Sequence, residues 1–299
     1  MKIRLLAITC SIFIYTTVVK AQPFADIVTF SYQTFSAPDK CFDAKNTRTE
    51  NYVLNFFVPK ELKNGHMFLF RLNSEYLNTT HNPSSNYAVA SVSLPVGFQL
   101  VTKNKKWKTV LIAIPKVASD FRDKIDKLDM QMGGFFLQNF VYSENLKFKA
   151  GLYYNREAFG NFFMPLAGVD WHVNNRINFY GVIPTNYKIE FNLIENKLYT
   201  GLNFKSYTRS FRLAQDQNND YVRYNEIQLK LFLDYFAYKK ILLFGEVGYA
   251  LGKSPIQYMY NSNQQVLSDA VFCQVKNGPV FNVGIAYRVR LDLNVTSQK

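Results

Sequence analysis

Val280 to Leu293 reads VFNVGIAYRVRLDL, and its alternation decides the fold. Phe281, Val283, Ile285, Tyr287, Val289, Leu291 and Leu293 take every second position; Asn282, Gly284, Ala286, Arg288, Arg290 and Asp292 take the others. Successive side chains of a strand point to opposite faces, so this segment puts one face in an apolar medium and keeps its charges on the other. Asn225 to Tyr235 repeats the pattern, with Ile227, Leu229, Leu231, Leu233 and Tyr235 opposing Glu226, Gln228, Lys230 and Asp234. So does Ala88 to Leu100, and Phe68, Phe70 and Leu72 oppose Arg71 and Asn73. Such runs exceed the soluble strand of about 5–6 residues. They suit a tilted bilayer crossing of about 9–11 residues extended into loops.

Working outward, the pattern predicts strands over 24–36, 49–58, 66–79, 86–101, 106–116, 131–142, 146–156, 162–172, 176–183, 187–194, 198–212, 221–236, 240–253 and 279–293. That makes an all-β chain, a closed antiparallel transmembrane β-barrel of about 14 strands, with 12 or 16 as alternatives. The alternation is faintest over 106–116, 131–142 and 176–194. Connections such as Ser143-Glu144-Asn145, Val173-Asn174-Asn175 and Glu195-Asn196-Lys197 are tight, whereas 37–48, 117–130, 213–220 and 254–278 are long and polar. Short periplasmic turns and longer surface loops are what such barrels have. Asp120 to Asp129 (DFRDKIDKLD) is expected to be a surface loop with one helical turn.

The N-terminus fixes the expected compartment. Lys2 and Arg4 precede an apolar stretch from Leu5 to Val19, and Val19-Lys20-Ala21 ends it. This is the pattern of a signal peptide, 1–21, cleaved after Ala21, leaving a barrel domain over 22–299 in the bacterial outer membrane. Removing 1–21 takes Lys2, Arg4 and Lys20 from a formal net charge of +13. No Lys/Arg block is long enough for nucleic acid; the densest is Lys103 to Lys108. Aromatic residues make up 16% of the chain, with 27 Phe and 20 Tyr, although no long apolar run follows the leader. A barrel carries that load because only every second residue faces lipid. Trp107 and Trp171 both fall beside short turns, as an interfacial girdle requires.

The polar face of the alternation is expected to line the lumen. It brings together Arg71, Lys147, Lys149, Asp170, His172, Lys205, Arg209, Glu226, Lys230, Glu246, Arg288 and Arg290. Lys230 and Glu246 lie almost equally far from the 237–239 turn and are expected to face each other across one hairpin. An unpaired buried charge is costly, so a dry lumen demands pairing. Two readings stay open: an aqueous passage whose basic lining favours a small anionic solute, and a barrel filled by ion pairs with no flux. Cys41 and Cys273 lie in the first and last surface loops, which barrel closure makes neighbours; a disulfide across the seam and two free thiols are both open.

Enzyme signatures are poor. His66, His81 and His172 sit on different elements without metal-type spacing, so no metal and no cofactor is expected. A membrane-embedded lipid hydrolase would need a Ser and a His near the surface leaflet, and His172 is at the other end of its strand. The expected partners are outer-membrane lipids and a small anionic solute; the sequence identifies no protein partner.

Gly151 to Asn192 reads GLYYNREAFGNFFMPLAGVDWHVNNRINFYGVIPTNYKIEFN, and Tyr221 to Leu251 reads YVRYNEIQLKLFLDYFAYKKILLFGEVGYAL. The Tyr-Asn-Arg-Glu before Phe-Gly, the Pro165 to Trp171 run, Ile183-Pro184 after a strand and Asn225 to Leu229 resemble a family of uncharacterised Gram-negative outer-membrane β-barrel proteins, a domain of unknown function. The resemblance, over about 150–251, implies the fold and the compartment and carries no catalytic or binding residues.

Overall fold

The computed structural model describes residues 24–38, 46–82, 85–213, 221–251 and 277–290. The expected signal peptide, Cys41, Cys273 and Leu291 to Leu293 lie outside them. The strands are β1 (Phe24–Ala37), β2 (Asn46–Glu61), β3 (Met67–Asn82), β4 (Ser85–Ser93), β5 (Val96–Val101), β6 (Trp107–Ser119), β7 (Met130–Val141), β8 (Leu146–Glu157), β9 (Gly160–Asn174), β10 (Ile177–Val182), β11 (Asn186–Ile194), β12 (Leu198–Arg212), β13 (Tyr221–Tyr238), β14 (Ile241–Leu251) and β15 (Gly278–Arg290). Neighbours pair antiparallel around the ring, and β1 pairs with β15 to close it.

β4 and β5 stand end to end between β3 and β6 and form one wall strand, so the barrel has 14. The sequence predicted an unbroken strand there. Pro95 has no N–H to give to a ladder, and the chain breaks at Leu94–Pro95. The break stays bonded, with Leu94 N donating to Pro115 O at 2.9 Å and Arg71 N to Pro95 O at 2.8 Å. β2 and β3 outrun their expected ends because their ladder continues from Asn46↔Asn82 to Glu61↔Met67. The expected helical turn in 120–129 is absent. Asp side chains capture the loop's N–H groups instead: Asp126 N donates to Asp129 Oδ2 at 2.8 Å and Leu128 N to Asp126 Oδ1 at 2.6 Å.

The outer wall is apolar. Ile227, Leu229, Leu231, Leu233 and Tyr235 on β13, and Phe281, Val283, Ile285 and Tyr287 on β15, are all exposed. A contiguous surface of this kind belongs against lipid. Aromatic pairs mark its two rims. Trp107 lies 4.7 Å from Phe140, and Trp171 stacks 5.8 Å from Phe179, both at the end with short turns. Tyr32, Tyr52 and Tyr76 follow one another at 5.1 and 6.2 Å near the loop end, where Glu50 and Arg48 take over. No helix among the described residues is long and apolar enough to cross a membrane; the crossings are strands.

The register gives the slope of the wall. One hydrogen-bonded row starts at Trp171 and runs through Phe179, Ile189, Leu202, Leu231, Val247, Phe281 and Thr34 to Glu50. It therefore climbs from the turn-end rim to the loop-end rim as strand number increases. An apolar band about 25 Å tall crossed in eight steps rises ~3 Å per strand, as strands ~4.8 Å apart tilted by about 40° require.

Candidate functional site

The charges of the lumen fall into two groups. From β10 around to β1 they form packed pairs. Arg290 grips Glu190 across the lumen with two bonds of 3.1 and 2.9 Å. Arg288 binds Asp26 at 2.6 Å and also Asp234, and it lies 3.6 Å over the Phe24 ring. Phe24 in turn meets Tyr180 from β10, edge to face, at 5.5 Å. Lys230 pairs with Glu246, which also accepts from Asn282 at 2.9 Å. The pairing is diagonal, since Lys230 stands opposite Gly248 and Glu246 opposite Phe232. Lys205 lies 5.8 Å over Tyr207. His172 faces Asn178, Nδ1 to Oδ1, at 2.5 Å.

Among the described residues, strand reaches across the loop end. The outer halves of β12 and β13 leave the wall and cross the lumen as a septum. Arg209 binds Glu75, on the opposite side of the ring, and Glu226 at 3.2 Å. Phe211, Leu213, Val222 and Tyr224 bury themselves against Leu77, Val89 and Ala118 from β3, β4 and β6. The Tyr224 hydroxyl donates to Tyr87 at 2.9 Å and lies 3.1 Å from the Thr79 hydroxyl. On the other face, Ser210 N and Oγ donate to Glu157 Oε2 at 3.0 and 2.6 Å, and Ala158 N donates to Ser210 Oγ at 2.9 Å. Asp120 N donates to Arg212 O at 3.0 Å, and the Arg212 guanidinium beside Asp126 holds that carboxyl below the usual carboxylate range.

Below the septum lies a cavity of about 2750 Å³ lined by residues from all around the barrel, among them Asp26, Lys188, Glu246 and Arg288 on one side and Arg71, Lys108, Lys147 and Lys149 on the other. It starts among the turn-end residues Lys60, His66, Lys103 and Glu144 and rises to Glu75, Asn155 and Thr208. Arg71 lines it, 4.9 Å over Phe57. The register resolves its β6–β9 wall into rows. Nearest the turns, Lys108 stands beside Asn139 and Lys149, with Lys147 and Asp170 one step lower. Above come Val110, Leu137, Gly151 and Leu166, then Ile112, Phe135, Tyr153 and Met164, then Ile114, Gly133, Asn155 and Phe162.

Three lysines gather here, and Lys149 alone is bonded to a carboxylate. Lys149 Nζ lies 2.5 Å from Asp170 Oδ1, which also accepts from Gly181 N at 3.2 Å. Gly181 has φ +132, a conformation open to glycine, and so turns this N–H inward. Lys147 is 4% exposed and its Nζ has no hydrogen-bond partner among the described residues. Among the described residues no cluster of His, Cys, Asp and Glu could hold a metal.

Two expectations change. The inward face is not polar throughout, because β6–β9 present apolar rows to the lumen. That is why alternation was faint over 106–116 and 131–142: both faces there are apolar. Nor do the lumen charges form one network; Lys147 and Lys149 stand apart from the Arg288–Arg290 side. The septum had a signal that went unread. Along β12 the outward series Leu202, Phe204, Ser206, Thr208, Ser210, Arg212 turns polar, while the inward series Asn203, Lys205, Tyr207, Arg209, Phe211, Leu213 ends apolar.

Solved structures match the chain at low identity. The NanC porin matches with TM-score 0.38 and 8% identity, covering 88% of this chain and 100% of its own. An outer membrane channel from Pseudomonas putida F1 matches at 0.45 and 8%, covering 92% and 100%. A mutant of the TodX monoaromatic hydrocarbon channel matches at 0.39 and 9%, covering 89% and 91%. A search of curated proteins finds no match. The family model described as "Domain of unknown function (DUF6268)" matches residues 69–288, most of the barrel, and the chain belongs to that family.

Proposed function

We propose that this barrel gives passive passage to a small anionic solute with a substantial apolar part, such as a long-chain carboxylate. The observation that carries this reading is the β6–β9 wall: two apolar rows, Val110 to Leu166 and Ile112 to Met164, standing above Lys108, Lys147 and Lys149, of which Lys149 pairs with Asp170. A carboxylate there would complete the hydrogen bonding of a buried ammonium, and the chain behind it would cover apolar side chains that otherwise face water. The same wall offers little to a purely hydrophilic ion, and the septum stands across the vertical path. A barrel without ionic conductance, the second reading of the sequence, is therefore compatible with flux of an amphiphile.

Titration of nanodisc-embedded protein with a fluorescent long-chain carboxylate tests this. A hydrogen bond to a charged group is worth about 1.5–3 kcal/mol, so Lys147→Met is expected to weaken binding about tenfold or more. The corresponding long-chain alcohol should bind wild type and variant alike. Equal affinity of wild type and Lys147→Met for the carboxylate would refute the assignment.

A further inference from the structure

We infer that the barrel opens sideways, between β9 and β12 above the β10–β11 turn, into the loop-end half of the bilayer. The window stands on wall geometry alone; what passes through it rests on the reading above. β10 has 6 residues and β11 has 9, between neighbours of 15 each. At ~3.3 Å per residue and a tilt of about 40°, β10 rises only ~15 Å through an apolar band ~25 Å tall. The register agrees: the turn is level with Ala167, four positions above Trp171 at the turn-end rim and four below Phe163.

A turn at that depth must satisfy its own backbone, because lipid offers no hydrogen bonds. This one does. Ile183 N donates to Ala167 O at 2.7 Å and Ala167 N to Ile183 O at 3.1 Å. Pro184 has no N–H, Thr185 O accepts from Ser206 N at 2.9 Å, and Thr185 Oγ donates to Val182 O at 2.9 Å. Ile183 is half exposed on the lipid side.

Above the turn, no strand lies between β9 and β12 among the described residues. The free edge of β12 is tied at Ser206 by Thr185 and at Ser210 by Glu157, Ala158 and Gln131. Thr208 lies between these ties and lines the cavity with Phe162, Met164 and Thr185. The frame is one tie to the next, four residues, ~13 Å along an extended strand. A frame of that length is long enough for an acyl chain to enter across it. The cavity thus joins the turn-end solution to the hydrocarbon of the opposite leaflet, passing the lysines on the way.

The test uses vesicles doped with a phospholipid that carries a diazirine midway along one acyl chain, with insertion sites mapped by mass spectrometry. Outward Phe163 and Pro165 will be labelled in any case. Inward Phe162 and Met164 are expected to be labelled too, and Thr208→Trp, which fills the gap, should remove the inward labels only. Inward residues left unlabelled in wild type would overturn the window. Carboxylate titration separates the two ideas: Lys147-dependent binding without inward labelling sinks the window alone, and inward labelling without that binding sinks the amphiphile reading alone.

Discussion

Glu190→Ala is expected to destabilise the folded barrel by about 3–5 kcal/mol, the cost of breaking a buried, hydrogen-bonded ion pair from one side. Glu190 is fully buried and takes both nitrogens of Arg290 from across the lumen. It also accepts from Asn178 at 3.1 Å and from Tyr180 at 3.3 Å, so one deletion orphans several groups. Arg290 has a second support, 4.0 Å over the Tyr199 ring, which cannot replace a carboxylate. The readout is the urea midpoint of the heat-modifiable band on a gel. The double variant Glu190→Leu with Arg290→Met should recover much of the loss, since well-packed apolar replacements of buried pairs are often neutral. A loss in the single variant as small as the ~0–1 kcal/mol of a surface pair would show that this half of the lumen is wet.

The septum yields the second large effect. Wild-type protein in planar bilayers is expected to show no conductance steps. Phe211→Ala empties the centre of the cluster that holds β12 against β3 and β4, at a cost of about 3–5 kcal/mol. Combined with Glu157→Ala, which releases Ser210 from the end of β8, it should turn the barrel into one with resolved steps. Steps of equal size in wild type and variant would mean that ions take another route. Loss of heat-modifiability in the variant would be read separately, as failure to fold.

The architecture was legible because lipid is an unforgiving solvent: every residue facing it must be apolar, and Phe281 to Tyr287 or Ile227 to Tyr235 say so without help from tertiary structure. The lumen imposes no such rule. Its walls can be charged where they meet each other, as at Arg288 and Asp234, or apolar where they face a cavity, as at Ile112 and Phe135. Reading the inner face as polar by default found Lys147, Lys149 and Asp170 but missed the rows above them. Diagonal and cross-lumen partners such as Arg290 with Glu190 depend on which strands face each other across the ring, which periodicity along a single strand does not contain. The septum was readable in principle, from the polar turn taken by Ser206 to Arg212 on a face that had been apolar.

The most direct test of the central claim is a crystal structure with a long-chain carboxylate brominated at its far end, located by anomalous scattering. The carboxylate should lie beside Lys147 and Lys108, with the bromine among Ile112, Phe135, Tyr153 and Met164. Bromine found only along the outer wall, with the lumen rows bare, would contradict the account.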